Sequence, residues 1–150
     1  ITVQVQGDAL VEANETYLVN LSGQINATIN DSQGLGTIVD DDCPSTVVLN
    51  GGDSGAGTLR QVIADACADS TVTFAPGVTT VTLTSAELLI NKNLTIDGGT
   101  SPVTVTRSTA GATPQFRIFN VQGGSTVSMN ALVVSNGDDP VQAGGIQNSG

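Results

Sequence analysis

The sequence contains no histidine, and this absence excludes a large part of enzyme chemistry. A Ser-His-Asp triad, an imidazole general base and an imidazole zinc site all need that side chain. Cations are also scarce, since 4 Lys and Arg stand against 14 Asp and Glu, for a formal net charge of −10. A nucleic-acid partner requires a basic face, which so few scattered cations cannot form. We therefore expect no nucleic-acid binding and no histidine-dependent catalysis.

Long apolar runs and aromatic residues are lacking too. No run approaches the ~20 apolar residues of a membrane helix, so we expect no direct membrane insertion by this segment. Aromatic residues make up 3% of the chain, which has 18 glycines, and Val, Ile, Leu and Thr fill the pattern instead. This mixture favours an all-β fold of short strands joined by turns. Because both ends of the chain fall abruptly within strand-like or turn-like sequence, we expect a fragment of a longer protein.

Residues 1–42 are typical of a small part of a β-sandwich. Ile1, Val3 and Val5 alternate with polar residues, which predicts a half-buried strand. Two more strands are predicted, at 16–21 and 36–39, and the segment ends at the acidic run Asp40-Asp41-Asp42. Because three short strands cannot close a sandwich, we expect their partner strands to lie upstream of residue 1. The acidic run marks the boundary between this domain, 1–42, and a second one, 43–150.

The second domain carries the pattern of a solenoid. Leu59, Val62, Ile63 and Ala66 form one apolar stripe, which predicts a helix over about 58–67 with Thr58 and Gln61 as a capping box. Very short strands follow from residue 72 onward, and similar phrases recur among them at irregular intervals of about 15–25 residues, the range of solenoid coils. A solenoid needs its end covered to stop edge pairing, and the helix stands where such a cap is expected. The predicted strands are 46–49, 72–74, 81–83, 88–90, 94–96, 103–105, 118–121, 127–129 and 132–134.

Acidic residues of the first domain supply the candidate metal ligands. They are Asp8, Glu12, Glu15, Asp40, Asp41 and Asp42. Ca²⁺ takes six to eight oxygen ligands, largely from loop carboxylates and carbonyls, and two acidic loops at neighbouring strand ends could provide several. The alternative is that these residues are solvated turn positions.

A resemblance supports the calcium interpretation. The phrases Gly7-Asp8, Glu12-Ala13-Asn14-Glu15-Thr16-Tyr17, Val19-Asn20-Leu21 and 34–42 (Gly-Leu-Gly-Thr-Ile-Val-Asp-Asp-Asp) resemble the second half of a Calx-β domain, with Tyr17 in place of the usual Phe. The resemblance implies an immunoglobulin-like sandwich. It also implies Ca²⁺ ligation by Asp8, Glu12, Asp40, Asp41 and Asp42, with Glu15 less directly matched. Family sites also use acids from early strands that are absent here, so weak binding or none is expected of the fragment.

Residues 45–150 carry a second resemblance. The phrase Asp53-Ser54-Gly55-Ala56-Gly57-Thr58-Leu59-Arg60-Gln61-Val62-Ile63 is similar to the start of bacterial surface domains of the polymorphic outer-membrane and autotransporter-passenger type. Segments 72–76, 93–98 and 144–150 continue the match. The resemblance implies a right-handed, pectin-lyase-like parallel β-helix with a helical N-terminal cap. Gly52-Asp53-Ser54-Gly55 also looks like the nucleophile loop of serine proteases, but without histidine the serine has no base, so a turn is the better interpretation.

The two cysteines, Cys43 and Cys67, form no CxxC motif. A disulfide between them would close a loop of about 25 residues and contribute about 3 kcal/mol in the chain-entropy model. Two unpaired thiols are the alternative. Scarce lysine and the extracellular-looking motifs favour the disulfide.

These observations predict a non-enzymatic, structural or adhesive protein secreted to the bacterial cell surface. Its expected partners are calcium ions and surface glycans or proteins of other cells. The alternative is the non-catalytic leading part of a polysaccharide lyase or glycoside hydrolase, because pectin-lyase-like helices include both. Asp97, Asp138 and Asp139 are the acids available after Glu87, with Arg107 and Arg117 as cations, and Asp138-Asp139-Pro140 looks like a turn.

Overall fold

The computed structural model describes residues 2–7 and 10–149. The chain divides into two units, 1–43 and 44–150. Twelve strands and one helix are formed in the described residues. No helix among them is long and apolar enough to cross a membrane.

Unit 1 contains a two-stranded antiparallel sheet, in which β1 (Glu15–Asn20) pairs with β2 (Gln33–Ile38). None of its described residues is buried, and Leu18, which pairs with Leu35, is 54% exposed. The strand predicted over Ile1–Val5 is wrong for the residues described, because 2–7 form no strand. A strand needs a partner to form ladder hydrogen bonds, and the segment 2–7 pairs with neither β1 nor β2. The described part of unit 1 is therefore a hairpin with exposed loops.

Unit 2 is a parallel β-helix of about four turns. The first turn consists of β3 (Val47–Val48) and helix α1 (Leu59–Asp65). Each of the next three turns has three strands: β4 (Ser70–Phe74), β5 (Thr80–Leu83) and β6 (Leu88–Ile90); then β7 (Leu94–Asp97), β8 (Val103–Arg107) and β9 (Phe119–Val121); then β10 (Val127–Asn130), β11 (Leu132–Ser135) and β12 (Ile146–Asn148).

Corresponding strands of successive turns stack as three parallel sheets. Their orders are β3-β4-β7-β10, β5-β8-β11 and β6-β9-β12. The turns differ in length: Asp69 bonds to Asn93 across 24 residues, within the predicted spacing of about 15–25, whereas Asn93 bonds to Thr126 across 33. The longer turn contains the long connection 108–118 between β8 and β9.

Inward-pointing apolar residues form one continuous core. In the first sheet Val72 stacks on Ile96, and in the second Val81 stacks on Val105, all four of them 0% exposed. In the third sheet Leu88 pairs with Phe119. The intervening residues point outward, as the two-residue period of a strand requires. The short strands predicted from alternation are therefore confirmed in all nine places, with bounds that differ from the predicted ones by at most two residues.

Helix α1 brings a buried face to the same core. Leu59, Val62 and Ile63 are buried, and the helix packs near β3 and β6. Thr58 is the N-cap, and its hydroxyl accepts from the Gln61 amide, as predicted. The reciprocal half of the capping box is absent, since the Gln61 side chain bonds to Asp65 instead. The helix is shorter than predicted, because Ala66 already has non-helical backbone angles.

Gly98 shows how closely the turns stack. Its amide donates to the carbonyl of Asn130 in the next turn, at 3.0 Å, and a Cβ at this position would clash with the carbonyl oxygen of Ala131. We expect Gly98→Ala to lower the free energy of unfolding by about 1–3 kcal/mol. Gly111→Ala is the matched control, because a Cβ there meets nothing within 4 Å. Urea unfolding of both variants tests this, and equal stabilities would contradict the stacking described.

Candidate functional site

Two places in the molecule gather charged side chains, one in each unit. The first is a cavity of about 160 Å³ in unit 1, lined by residues from the loop before β1 and from the segment after β2. Its lining residues are Val5, Gln6, Gly7, Leu10, Glu12, Ala13, Glu15, Ile38, Val39, Asp40, Asp41 and Asp42. Five of the six predicted calcium ligands therefore border one cavity, which we call the acidic cleft. Asp8, the sixth, lies outside the described residues.

Hydrogen bonds order the acidic cleft around Asp40. One carboxylate oxygen of Asp40 accepts from the Glu12 amide at 2.6 Å, and the other accepts from the Asp42 amide at 3.1 Å. The Asp40 amide in turn donates to the Asn14 side chain at 2.9 Å. Within residues 2–7 and 10–149, however, no three acidic, cysteine or histidine side chains come together closely enough to hold a metal ion. These hydrogen bonds hold the loop before β1 against the segment after β2, but the carboxylates do not come together as one metal-binding group.

Both cysteines are disulfide-bonded, Cys43 as well as Cys67. Cys67 follows α1 after two residues, and the first turn of the β-helix lies between the two cysteines in the chain. Disulfides form and persist in oxidising compartments.

The second place is the edge where the second sheet meets the third, which we call the charged corner. It consists of the connections 84–87, 108–118 and 136–145, the end of β8, and Asp53 and Arg60 from the first turn. All four ion pairs of the described chain lie on it: Arg60–Asp53, Arg107–Asp138, Arg117–Glu87 and Arg117–Asp139. Acids and cations alternate here from the first turn to the fourth.

Arg60 links helix α1 to the second turn through hydrogen bonds. Its guanidinium donates to the Asp53 carboxylate at 2.6 Å and to the carbonyls of Ala86 and Glu87 at 2.6 and 2.7 Å. The other Asp53 oxygen accepts from the Thr84 hydroxyl at 3.1 Å. Burial by itself would raise the pKa of Asp53, but hydrogen bonds from Ser85 and Arg60, and the Arg60 charge, hold that pKa below its usual value. The Asp53 carboxylate is thus ionised at neutral pH, and each of its two oxygens accepts a hydrogen bond.

Arg117 links the second, third and fourth turns. Its Nε lies 2.9 Å from Glu87 Oε2, as an ion pair outside hydrogen-bond geometry, and its Nη2 bonds to Asp139. Glu87 also accepts from the Asn120 side chain at 2.7 Å. Backbone hydrogen bonds from Val141 and Gln142, together with Arg117, lower the pKa of Asp139 against the opposing effect of its partial burial. A carboxylate held ionised in this way does not suit the role of a general acid.

Arg107 makes a parallel link between the third and fourth turns. It donates to the carbonyl of Asn136 at 2.9 Å, pairs with Asp138 at 3.3 Å, and lies over the Phe116 ring at 5.9 Å from the centroid. Among the acids considered for sugar cleavage, Asp138 and Asp139 therefore lie on the charged corner, while Asp97 lies at the end of β7 and accepts from the Gly99 amide. These two arginines, Arg107 and Arg117, were candidates from the sequence, but their pairing was not predicted. Glu87, Arg117 and Asp139 follow one another at unequal intervals, so no fixed period in the sequence signals their pairing.

The fold and the charged corner define an all-β protein whose successive β-helix turns are linked by arginine side chains, through backbone carbonyls or carboxylates of the neighbouring turn. No family model, curated protein or solved structure matches the chain.

Proposed function

We propose that the chain is a structural, non-enzymatic part of a protein secreted to a bacterial cell surface, in which a Calx-β-like module leads into a right-handed β-helix stalk. The observation that carries this proposal is the charged corner. Each arginine there is engaged by carboxylates and carbonyls of a neighbouring turn, which is the use of charge expected where turns must be held together. The adhesive role, toward surface glycans or proteins of other cells, follows from the family resemblance alone.

Export to an oxidising compartment is supported by the disulfide-bonded state of Cys43 and Cys67. We expect protein isolated from its natural host, without added oxidant, to be lighter than its reduced form by the mass of the two thiol hydrogens. Intact-protein mass spectrometry with and without reductant measures this. Two free thiols in the isolated protein would contradict secretion.

The alternative function, a leading part of a polysaccharide lyase or hydrolase, has one observation in its favour. Glu87 and Asp139 both contact Arg117, so two carboxylates and a cation meet on one edge. To separate the two functions, the protein is incubated with uronic-acid polysaccharides in the presence of Ca²⁺. We expect no new reducing ends or unsaturated products. Product formation that is lost in Arg117→Met would establish the alternative.

The calcium part of the proposal concerns the acidic cleft. Since its carboxylates border one cavity without converging, we expect weak binding, with a dissociation constant of about 10⁻⁴–10⁻³ M as in extracellular calcium modules. Ca²⁺ should shift the amide resonances of Asp40, Asp41 and Asp42 in a saturable way. Asp41→Asn combined with Asp42→Asn should abolish the shifts.

Two controls make the calcium experiment specific. Mg²⁺ at the same concentration should produce smaller shifts, because it dehydrates reluctantly and demands octahedral geometry. Asp97→Asn, which removes a carboxylate of unit 2, should leave the calcium response unchanged. Identical titrations for wild type and the double variant would overturn the calcium assignment.

A further inference from the structure

The connection between β11 and β12 contains a loop with a narrow base, between Gly137 and Gly144, which we call the Asp-Pro loop. The two glycines lie in close contact, since a Cβ on either one would clash with the carbonyl oxygen of the other. The tip of the loop is open to water, and Val141 is 84% exposed there. Asp139 and Pro140 lie between base and tip, and they form the only Asp-Pro pair in the 150-residue sequence.

An Asp-Pro peptide bond carries its own nucleophile. The side-chain carboxylate of the aspartate can attack the main-chain carbonyl carbon of the same residue and close a five-membered ring, so the attack is intramolecular. The nitrogen that leaves belongs to a tertiary amide, because proline has no N–H, and it is more basic than the nitrogen of an ordinary peptide bond. Since this nitrogen must gain a proton as it leaves, the reaction is expected in acid.

In the Asp-Pro loop both carboxylate oxygens of Asp139 are held by donors. Oδ1 accepts from the amides of Val141 and Gln142, each at 2.9 Å, and Oδ2 accepts from Nη2 of Arg117. The Asp139 side chain is 11% exposed. Attack by either oxygen requires that its hydrogen bonds be weakened or broken, so these three donors oppose the cleavage that the sequence allows.

Four further charges surround Asp139. Arg117 and Glu87 face the loop from the connections before β9 and β6, and Arg107 of β8 pairs with Asp138 in the loop itself. Among the described cations only Arg117 pairs with Asp139. Two backbone hydrogen bonds and Arg117 hold the pKa of Asp139 below its usual value. The carboxylate therefore stays ionised while pH falls through the range in which a free aspartate gains its proton.

We propose that Asp139–Pro140 is an acid-dependent self-cleavage site, and that Arg117 slows its cleavage. One Asp139 side-chain oxygen bonds to the Asp139 carbonyl carbon, the bond from that carbon to the Pro140 nitrogen breaks, and the nitrogen keeps the proton as a secondary amine. Water then opens the cyclic anhydride to a C-terminal aspartate. The cut separates β12 covalently from the turns before it. This inference goes beyond the structural role proposed above and does not depend on it.

The test follows the intact mass of the 150-residue chain after incubation at a pH near the ordinary pKa of aspartate, about 3.9. We expect two fragments, 1–139 and 140–150, whose summed mass exceeds that of the chain by one water. Cys43 and Cys67 both precede the bond, so their oxidation does not join the fragments. Cleavage should be slower in the folded protein than in the same chain unfolded by urea. Equal rates, or no cleavage of the unfolded chain, would overturn the proposal.

Variants assign the protection to Arg117. Arg117→Met should cleave about tenfold faster than the wild type, the factor that corresponds to one hydrogen bond to a charged group. Arg107→Met is the matched control, because Arg107 pairs with Asp138 of the same loop, and it should cleave at the wild-type rate. Asp139→Asn removes the nucleophile and should leave the chain intact.

Far-ultraviolet circular dichroism at the incubation pH establishes that the compared variants are folded. Equal rates for folded Arg117→Met and the wild type, or for Arg117→Met and Arg107→Met, would contradict the role of Arg117. Cleavage that persists in Asp139→Asn would contradict the nucleophile. The comparison of folded with urea-unfolded wild type uses no variant, so it decides the proposal even where a substitution prevents folding.

Discussion

Replacing Phe119 by alanine is expected to lower the free energy of unfolding of the β-helix by about 3–5 kcal/mol. Phe119 is 0% exposed at the centre of the third sheet, where it pairs with Leu88 in the turn before and with Ile146 in the turn after. Its removal opens a cavity that the narrow stack of turns cannot easily close. Chemical denaturation followed by far-ultraviolet circular dichroism measures the loss.

Val133→Ala is the control for this experiment, since Val133 lies on a strand of the second sheet but points outward. We expect it to change stability by less than about 0.5 kcal/mol. A loss in Phe119→Ala no greater than that of the control would mean that the third sheet does not enclose the core as described.

The second large effect is expected at Arg60. Substitution by methionine keeps the apolar stem but leaves the Asp53 carboxylate, 8% exposed, and the carbonyls of Ala86 and Glu87 without their donor. Stranding a buried partner costs more than the pair itself contributes, so we expect a loss of about 3 kcal/mol. The stability of Arg60→Lys should lie between those of the wild type and Arg60→Met. An ammonium keeps the positive charge but cannot donate several hydrogen bonds in one plane as the guanidinium does.

The strands and the helix of unit 2 could be predicted from the sequence because their signals are local. Each strand has two inward apolar residues that flank an outward one, as in Thr80-Val81-Thr82-Leu83, and the helix has a cap and an apolar stripe. Strand β12 was missed, because Ile146-Gln147-Asn148 has a single apolar residue. Its pairing with β9 comes from the stacking of turns, which short-range alternation does not contain.

The charged corner could not be predicted, because it depends on which turn positions become neighbours. Arg117 and Asp139 are 22 residues apart, and Arg107 and Asp138 are 31 apart. Because the turns differ in length, a search for a fixed repeat in the sequence does not find such pairs. The predicted strand over Ile1–Val5 is wrong for its described residues, 2–5, for a related reason. Apolar and polar residues do alternate there, but a strand also needs a partner, and the sequence of the segment does not reveal one.

The central claim is that charge joins successive turns of the β-helix, and a double-mutant cycle on Glu87 and Arg117 tests it most directly, because these residues lie in the second and third turns. Unfolding free energies are measured for the wild type, Glu87→Gln, Arg117→Met and the double variant. We expect a coupling energy of about 0.5–3 kcal/mol, since the two side chains form an ion pair of 2.9 Å. Additive losses, with coupling within about 0.3 kcal/mol of zero, would contradict the claim.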